Sequence, residues 1–348
     1  MRAAIFNGPG DITVGERPDP TIEAPTDAIV RVTFGCVCGT DLWYYRGQSA
    51  HAAGSIGHEF IGTVEEVGPA VAGLAVGDLV VAPFLYSDGT CPLCRAGWPS
   101  QCINGGAFGR GENDGGQGEF VRVPFAGSTL VRVPGGTAHS EATMRSLLAL
   151  SDVMGTGYHA AISAGVVPGM TVAVVGDGAV GLCAVIASRL LGAARIIALS
   201  RHPSRQALAR LFGATDVVPQ RGDTAIEAVR DLTDGLGVDA ALECVGTGES
   251  MATAFGIARA GTTVGAVGAP HDVEIPEEAV IFRNIGVRGG VAPVRRYLPR
   301  LIDDVLAGRI DPGRVFDFVT DLDHVADAYA AMDERRAVKS MITMAGAA

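Results

Sequence analysis

The sequence predicts an α/β protein that joins a doubly wound parallel sheet to a mostly antiparallel β domain. From Thr171 onward, apolar strands of five or six residues alternate with helical patterns rich in Ala and Arg. This alternation is typical of a parallel α/β sheet. The first 150 residues instead carry short β-rich segments, such as residues 28–32 and 78–82, separated by Gly and Pro clusters. Such punctuation is typical of antiparallel strands joined by turns.

The parallel sheet is predicted to contain six strands, with helices between them. They lie near residues 171–176, 195–199, 216–218, 238–243, 262–267 and 285–289. This order corresponds to the doubly wound layout, whose nucleotide site lies at the carboxyl ends of the strands. We therefore expect the cofactor site at that edge of the sheet.

The last part of the chain is expected to return to the first domain. It carries helical patterns at residues 296–307 and 322–335 and a closing strand at residues 340–344. The predicted domains are residues 1–153 with 292–348, and residues 154–291.

Composition and charge exclude several classes of function. The chain has 348 residues, 48% of them hydrophobic, a net charge of -11 and a pI of about 5.1. An acidic surface repels phosphate backbones and anionic membranes, so neither nucleic acid nor a membrane is an expected partner. The start of the chain has no apolar stretch typical of a signal peptide, which predicts a cytoplasmic protein. The most apolar region, residues 171–199, is interrupted by glycines and charges, which excludes a membrane span.

The seven cysteines are an odd number in a chain without a secretion signal, which argues against a disulfide framework. Cys183 and Cys244 lie in apolar patterns and are expected to be simply buried. The others are candidates for metal binding or catalysis: Cys36, Cys38, Cys91, Cys94 and Cys102.

A glycine-rich turn predicts where the dinucleotide binds. The strand at residues 171–175 leads into Gly176-Asp177-Gly178-Ala179-Val180-Gly181 and then a helix. The first glycine permits the turn, the second lets the backbone approach the pyrophosphate, and the third allows close packing of the helix. The amino end of the helix favours negative charge. Residues 176 and 178–181 are therefore predicted to bind the cofactor.

The end of the second strand favours NADP(H) over NAD(H). An NAD enzyme normally places an Asp or Glu about twenty residues after the glycine turn, but no acidic residue stands between Asp177 and Asp216. Ser200 and Arg201 occupy the strand end, with Arg205 one turn further. These groups can neutralise a 2′-phosphate. The alternative is that both arginines are solvated, in which case either cofactor is accepted.

One motif resembles the signature of zinc-containing medium-chain alcohol dehydrogenases. Its residues are Gly57-His58-Glu59-Phe60-Ile61-Gly62, continuing to Gly68 and Val71. Cys38 precedes His58 by twenty residues, and Gly77-Asp78 follows. With the glycine turn, the resemblance covers nearly the whole chain. It implies a Rossmann domain, a GroES-like catalytic domain, an activity of class EC 1.1.1, and a homodimer or homotetramer.

The resemblance also implies a catalytic zinc with Cys38 and His58 as ligands. A third ligand is needed beside an open fourth position, and the resemblance assigns that role to Asp152. Glu59 corresponds to an acidic neighbour of the metal that can act as a transient ligand. Cys36 is expected to be a bystander, because Cys-x-Cys on a strand would place both thiols on one face and crowd the metal.

The implied mechanism is polarisation of the alcohol oxygen by zinc, followed by hydride transfer to nicotinamide. Thr40 matches the position whose hydroxyl hydrogen-bonds the substrate oxygen. Trp43 replaces a His that continues the proton relay in many members of the family, and an indole cannot relay a proton. Proton exit is expected through water, Tyr44 or the cofactor ribose, while Trp43 either lines an apolar substrate pocket or packs in the core. Further cofactor-binding positions implied by the resemblance are Thr156, Val267, Gly268 and Lys339.

A second cluster resembles the structural zinc lobe of the same family. Its residues are Asp88, Cys91, Cys94 and Cys102, with Asp88 at the position of the first Cys. A carboxylate oxygen can complete a tetrahedral zinc site. The alternative is a lobe without metal that keeps three free thiols.

The expected substrate is a small alcohol, aldehyde or ketone, and two other functions remain open. One is a polyol or amino-alcohol dehydrogenase of the same family that uses NAD(H). The other is a non-catalytic NADP(H)-binding redox sensor, against which the intact Cys38, His58 and Asp152 argue.

Overall fold

The computed structural model describes residues 1–111 and 113–344 and divides into two compact units. Unit 1 is Met1–Asp152 with Pro293–Ala348, and unit 2 is Val153–Ala292. The C-terminal segment therefore completes the N-terminal unit. None of the described helices is long and apolar enough to cross a membrane. The cytoplasmic location stays a prediction.

The N-terminal part of unit 1 is built of short strands and four short helices. Its elements are β1 (Arg2–Gly8), β2 (Asp11–Glu16), β3 (Ala28–Cys36), α1 (Gly39–Tyr45), β4 (Gly54–Ser55), β5 (Phe60–Val67), β6 (Leu79–Val81), β7 (Leu85–Tyr86), α2 (Pro92–Arg95), β8 (Gly106–Ala107), β9 (Phe120–Val123), α3 (Ala126–Thr129), β10 (Val131–Arg132) and α4 (Glu141–Ala149). A short 3₁₀ helix spans Pro99–Gln101.

Unit 2 alternates strands and helices. Its elements are α5 (Val153–Ser163), β11 (Thr171–Val175), α6 (Ala179–Leu190), β12 (Arg195–Leu199), α7 (Pro203–Phe212), β13 (Asp216–Val218), α8 (Gly222–Asp231), β14 (Val238–Glu243), α9 (Gly248–Ile257), β15 (Ala258–Ala266), α10 (Glu277–Arg283) and β16 (Gly286–Gly289). Helix α7 shows why the chain changes direction where it does. Pro203 is its first residue, and Gly213 with φ 118° ends it, as is typical of proline at helix starts and glycine at helix ends.

The C-terminal part of unit 1 adds α11 (Val294–Leu306), β17 (Phe316–Asp321), α12 (Val325–Asp333) and β18 (Lys339–Thr343). Two 3₁₀ helices, Pro312–Val315 and Leu322–His324, precede β17 and α12. The predicted helix at residues 322–335 is therefore a 3₁₀ turn followed by an α-helix.

Unit 1 is held together by a mainly antiparallel sheet of order β10-β6-β5-β3-β18-β17. Strand β3 is its centre, because it pairs with β5 on one side and with both β9 and β18 on the other. The core beneath this sheet contains large buried side chains such as Phe60, Phe108 and Tyr329. The predicted mostly β domain is confirmed.

Unit 2 is a parallel sheet of order β13-β12-β11-β14-β15-β16, so the predicted doubly wound layout is confirmed. Five of the strands begin within one residue of their predicted starts, but β15 begins at Ala258 rather than near residue 262. A register shift explains the difference, because Ala258 pairs with Val238 and Thr263 with Ala240. The parallel direction places the ends of β11, β12, β14 and β15 at one edge.

The two cysteines that were expected to be buried differ in their exposure to solvent. Cys183 lies in α6 and is completely buried, but Cys244, which follows β14, is only half-buried. The expectation of plain burial is therefore wrong for Cys244. Strand β14 ends one residue before Cys244.

Candidate metal centres and nucleotide site

Four potential metal ligands from distant parts of unit 1 converge on one point. The ligand atoms of Cys38, His58, Glu59 and Asp152 all lie within 4.8 Å of one another. Cys38 precedes α1, His58 and Glu59 precede β5, and Asp152 follows α4. The Cys36 amide donates to the carbonyl of Glu59 at 3.3 Å, so the antiparallel pairing of β3 with β5 brings the first three residues together.

The spacing of three of these ligands matches a tetrahedral metal site. Asp152 Oδ2 lies 3.7 Å from Cys38 Sγ and 3.4 Å from His58 Nε2. Ligands about 2.0 to 2.3 Å from a tetrahedral zinc are separated from one another by roughly 3.3 to 3.8 Å. The three groups therefore fit zinc with little movement, and three protein ligands leave one position for a substrate oxygen.

The buried thiol and imidazole of this cluster have shifted pKa values. Burial raises the pKa of Cys38. Burial alone would lower the pKa of His58, but the facing Cys38, Asp41 and Asp152 outweigh it and raise that pKa well above its usual range. Because zinc binds thiolate and neutral imidazole, metal binding must release protons from this cluster.

Glu59 lies in the cluster but is tied to a buried cation. Its Oε1 accepts a hydrogen bond of 2.7 Å from Lys339 Nζ, which also donates to the carbonyl of Val37 at 3.1 Å. Both side chains are at most 1% exposed. Among the described residues, Glu59 Oε2 has no hydrogen-bond partner, which suits an occasional metal ligand. Lys339, predicted to bind the cofactor, lies in this ion pair, and a direct cofactor contact stays a prediction.

Asp41 is a buried residue of this centre to which the sequence analysis gave no role. Its Oδ1 lies 3.6 Å from His58 Nδ1, and its Oδ2 accepts from the Cys38 amide at 2.9 Å. Gln117 Nε2 donates to Asp41 Oδ2 at 3.3 Å, and Tyr329 donates to Gln117 Oε1 at 2.9 Å. A carboxylate on the second nitrogen of a metal-ligating His fixes the ring orientation. The sequence feature that could have identified Asp41 is its position three residues after Cys38.

Helix α1 carries three residues that were considered for substrate binding or proton transfer. Thr40, on the first turn of α1, and Trp43 are both half-buried. Tyr44 is buried, its hydroxyl accepts a hydrogen bond from Arg110, and its ring stacks on His51 at 4.6 Å. Thr40 lies two residues after Cys38 in the chain, and these contacts do not define a route for the proton.

Cys36 lies outside the cluster among the described residues. The expectation that Cys36 and Cys38 share a strand is wrong, because β3 ends at Cys36 and Cys38 caps α1.

A second cluster lies in the loop region after β7. Ligand atoms of Asp88, Cys91, Cys94 and Cys102 lie within 4.8 Å of one another. Cys91 caps α2, Cys94 lies within it, and Cys102 follows the 3₁₀ helix at 99–101. Cys91 Sγ and Cys102 Sγ are 3.9 Å apart, close to the separation of about 3.8 Å expected for two thiolates on one zinc.

The Asp88 carboxylate is held firmly in this lobe. Its Oδ1 accepts from the amides of Thr90 at 2.7 Å and Cys91 at 2.9 Å, and its Oδ2 accepts from Asn104 Nδ2 at 2.6 Å. These bonds, the Cys91 amide first, lower the pKa of Asp88 well below its usual range. Burial raises the pKa of Cys94 to about 12. The ionised carboxylate oxygen of Asp88 can bind a cation. A bound cation would also favour loss of the proton from the Cys94 thiol.

In unit 2, the glycine turn forms a cradle at the amino end of α6. Gly176 has φ 119°, and a Cβ at Gly181 would lie 2.0 Å from the Gly176 carbonyl oxygen, so both positions require glycine. A Cβ at Gly178 would have nothing within 4 Å. The cradle is therefore open at Gly178, and the unpaired amides at the start of α6, from Ala179 and Val180 onward, suit a pyrophosphate.

The end of β12 carries both the predicted basic groups and an acid. Ser200 Oγ donates to Asp177 Oδ2 at 2.9 Å, and the Arg201 amide lies 3.3 Å from the same oxygen. Arg205 pairs with Asp177 Oδ1 at 3.2 Å. The interval between Asp177 and Asp216 contains no acidic residue, but Asp177 itself reaches the strand end from the glycine turn. Arg205 is a paired residue rather than a solvated one, while Arg201 is exposed.

The remaining predicted cofactor positions lie at the same sheet. Thr156 is buried in α5, and the amides of Val267 and Gly268, just after β15, donate to the carbonyl of Glu243 at 2.9 and 3.3 Å. Glu243, missed in the sequence analysis, is buried at the end of β14. Its Oε1 accepts from three donors, Val245 N, Gly246 N and Ser250 Oγ, at 2.7 to 2.8 Å. It therefore fixes the loop that follows β14.

Comparison with known proteins gives the same two parts. An alcohol dehydrogenase GroES-like domain model matches residues 24–135, and a zinc-binding dehydrogenase model matches residues 179–306. A Mycobacterium tuberculosis protein described as a probable zinc-binding alcohol dehydrogenase is 36% identical over 340 residues, covering 96% of this chain and 86% of that protein.

Solved structures are also similar. An alcohol dehydrogenase from Thermus sp. ATN1 has a TM-score of 0.91 and 33% identity, covering 99% of this chain and 100% of that one. A Sinorhizobium meliloti 1021 dehydrogenase, in a structure bound to NADP, has a TM-score of 0.83 and 29% identity, covering 98% of each chain.

Proposed function

Because the chain belongs to the zinc-dependent medium-chain alcohol dehydrogenase family, an EC 1.1.1 oxidoreductase family, we propose that it transfers hydride between an alcohol, or its aldehyde or ketone, and NADP(H). The observation that carries the proposal is the spacing of Cys38, His58 and Asp152 around one point. This donor set of one thiolate, one imidazole and one carboxylate is typical of a catalytic zinc with an open position.

The catalytic zinc would be held by Cys38, His58 and Asp152, with Glu59 as an occasional ligand. When bound, zinc supplies Lewis-acid polarisation of the substrate oxygen, and the nicotinamide exchanges the hydride. Asp41 orients the imidazole of His58. The Thr40 hydroxyl, half-buried two residues after Cys38, would hydrogen-bond the substrate oxygen and pass its proton on. Since Trp43 cannot continue a relay, the proton would leave through water, Tyr44 or the cofactor ribose.

The experiment that tests this function measures NADPH oxidation and NADP reduction with a panel of alcohols, aldehydes and ketones, before and after zinc is removed. We expect turnover that is lost with the metal and restored by zinc. A zinc-saturated protein that binds NADPH and turns over none of the panel would support the redox-sensor alternative. Turnover restricted to polyols or amino alcohols with NADH would support the other alternative.

The proposed preference for NADP(H) rests on Ser200, Arg201 and Arg205 at the end of β12. A 2′-phosphate can accept hydrogen bonds from a hydroxyl and two guanidinium groups there. The similar Sinorhizobium meliloti structure, which is bound to NADP, supports the proposal. Arg201 is exposed beside the strand end, where its guanidinium can reach such a phosphate.

Replacing Arg201 with Ala is expected to raise the KM for NADPH about tenfold to hundredfold and to change that for NADH little. The reason is that a charge-assisted hydrogen bond to phosphate contributes roughly 1.5 to 3 kcal/mol, and NADH has no phosphate there. Steady-state kinetics with both cofactors measures it. Equal effects on the two cofactors would contradict the proposed role of Arg201.

We propose that Asp88, Cys91, Cys94 and Cys102 bind a second, structural zinc. A zinc-saturated protein should then hold two zinc ions per chain, and Asp88→Ala one. Asp88→Cys, which supplies a thiolate at the same position, is the matched control and should hold two. Metal analysis after gel filtration measures the ratio. A parent protein that binds one zinc per chain when saturated would show that the lobe has lost its metal.

We propose a homodimer or homotetramer assembled through β16. This edge strand of the unit 2 sheet is exposed along all four residues, and exposed apolar side chains lie near it in the chain, including Phe282 at 80% exposure, Ile281 and Val291. An exposed edge strand with apolar neighbours is typical of a subunit interface.

A further inference from the structure

The carboxylate of Asp177 lies among the groups that the proposed function assigns to the 2′-phosphate. It accepts from Ser200 Oγ at 2.9 Å and pairs with Arg205 at 3.2 Å. The Arg201 amide lies 3.3 Å from the same Oδ2 that Ser200 contacts. A phosphate bound there would have to share these donors with Asp177 or displace it.

The position of Asp177 is fixed by the backbone. It stands between Gly176, whose φ is 119°, and Gly178, which is the N-cap residue of α6. The carboxylate is held from three directions by a hydroxyl, a backbone amide and a guanidinium, and its side chain is 16% exposed. Partial burial would raise its pKa, but Arg205 and these hydrogen bonds outweigh burial and lower it. Asp177 is therefore an ionised, ordered group.

We infer that Asp177 is a specificity-determining residue that limits the preference for NADP(H) over NAD(H). The inference rests on the proposed use of NADP(H). Two arginines and one aspartate give the strand end a net charge of +1, whereas the arginines alone would give +2. Asp177 repels the 2′-phosphate of NADP(H). It also offers the ribose hydroxyls of NAD(H) the acceptor that NAD enzymes place at the end of the second strand.

Asp177→Asn removes the charge and keeps an oxygen that can accept from Ser200 and the Arg201 amide. The probes are adenosine 2′,5′-bisphosphate and 5′-AMP, which differ only in the 2′-phosphate, with Kd measured by calorimetry on the zinc-loaded enzyme. In Asp177→Asn we expect the Kd for the bisphosphate to fall about tenfold relative to the Kd for 5′-AMP, because one negative charge near the phosphate is gone. The KM for NADPH should fall relative to that for NADH.

Asp239→Asn is the matched control. Asp239 also pairs with an arginine of unit 2, Arg259 at 2.8 Å, but it lies at the start of β14, at the opposite edge of the sheet from the cofactor site. Its loss removes the same charge and should leave the Kd ratio unchanged. If Asp177→Asn does not fold, Asp177→Ala gives the same test, with a similar shift expected.

The outcomes separate this inference from the proposed cofactor. If Arg201→Ala lowers the preference for the bisphosphate but Asp177→Asn does not raise it, Asp177 only orders the turn and the inference is wrong. Equal weakening of both probes by Asp177→Asn would overturn it in the same way. If instead Arg201→Ala leaves the ratio unchanged but Asp177→Asn raises the preference for the bisphosphate, the proposed role of Arg201 fails and the inference about Asp177 stands. If neither variant changes the ratio, the proposed 2′-phosphate site fails and the inference fails with it.

Discussion

Replacing Asp152 with Asn is expected to lower kcat/KM by about a thousandfold or more, with the fold retained. Asp152 Oδ2 lies within 3.7 Å of both the Cys38 thiol and the His58 imidazole. A neutral amide is a poor third ligand, so the variant should lose most of its zinc affinity. A factor of a thousand corresponds to about 4 kcal/mol, which is within the several kcal/mol that a Lewis-acid metal contributes.

Kinetics and zinc analysis on the same preparation measure this effect. Asp152→Cys is the matched control, since a thiolate restores a charged ligand at the same position, and we expect it to keep zinc and part of the activity. Thermal unfolding shows whether each variant is folded. An Asp152→Asn enzyme with full zinc content and parental kcat/KM would remove Asp152 from the metal site.

Replacing Lys339 with Met is expected to destabilise unit 1 by about 3 to 5 kcal/mol. The change leaves the Glu59 carboxylate buried without its cation, and an uncompensated buried charge costs about that much. For a domain of this size, the melting temperature should fall by roughly 6 to 20 °C. Thermal unfolding of the metal-free proteins measures it, because zinc would supply Glu59 with another cation.

The double variant Glu59→Gln with Lys339→Met is the control, and it should recover most of the stability because the unpaired charge is gone. Burial already raises the pKa of Glu59, and loss of Lys339 should raise it further. A carboxyl whose pKa is raised in the folded state binds more protons there, so stability increases as the pH falls. The Lys339→Met defect should therefore be smaller at pH 5 than at pH 8. A melting temperature within 2 °C of the parent at pH 8 would show that the pair contributes little.

The buried polar network around His58 shows what a sequence leaves out. Asp41 stands three residues after Cys38, yet its partner Gln117 lies 76 residues away along the chain. Tyr329, which donates to Gln117, lies 212 residues further on. No periodic pattern marks such contacts. They depend on how β3, the segment before β9 and α12 are assembled in unit 1.

The amino-acid sequence by itself determined the order of the parallel strands along the chain, the glycine turn and the spacing of the ligands in both candidate metal sites. Strand and turn patterns are set by neighbouring residues, so they can be seen in a short window. The motif around His58 shows the family because its residues stand at fixed separations along the chain. These features depend on local backbone geometry or on spacing, and both are present in the linear sequence.

Only the tertiary structure decided which charged groups meet. Lys339 pairs with Glu59 across 280 residues, and Asp177 reaches Ser200 across 23 residues. Strand β3 ends at Cys36, so Cys38 lies at the cap of α1 rather than on the strand. Electrostatic pairing depends on distances of a few ångströms between side chains, and folding sets those distances by the path of the chain. An interval without acidic residues in the sequence therefore did not make the strand end free of a carboxylate.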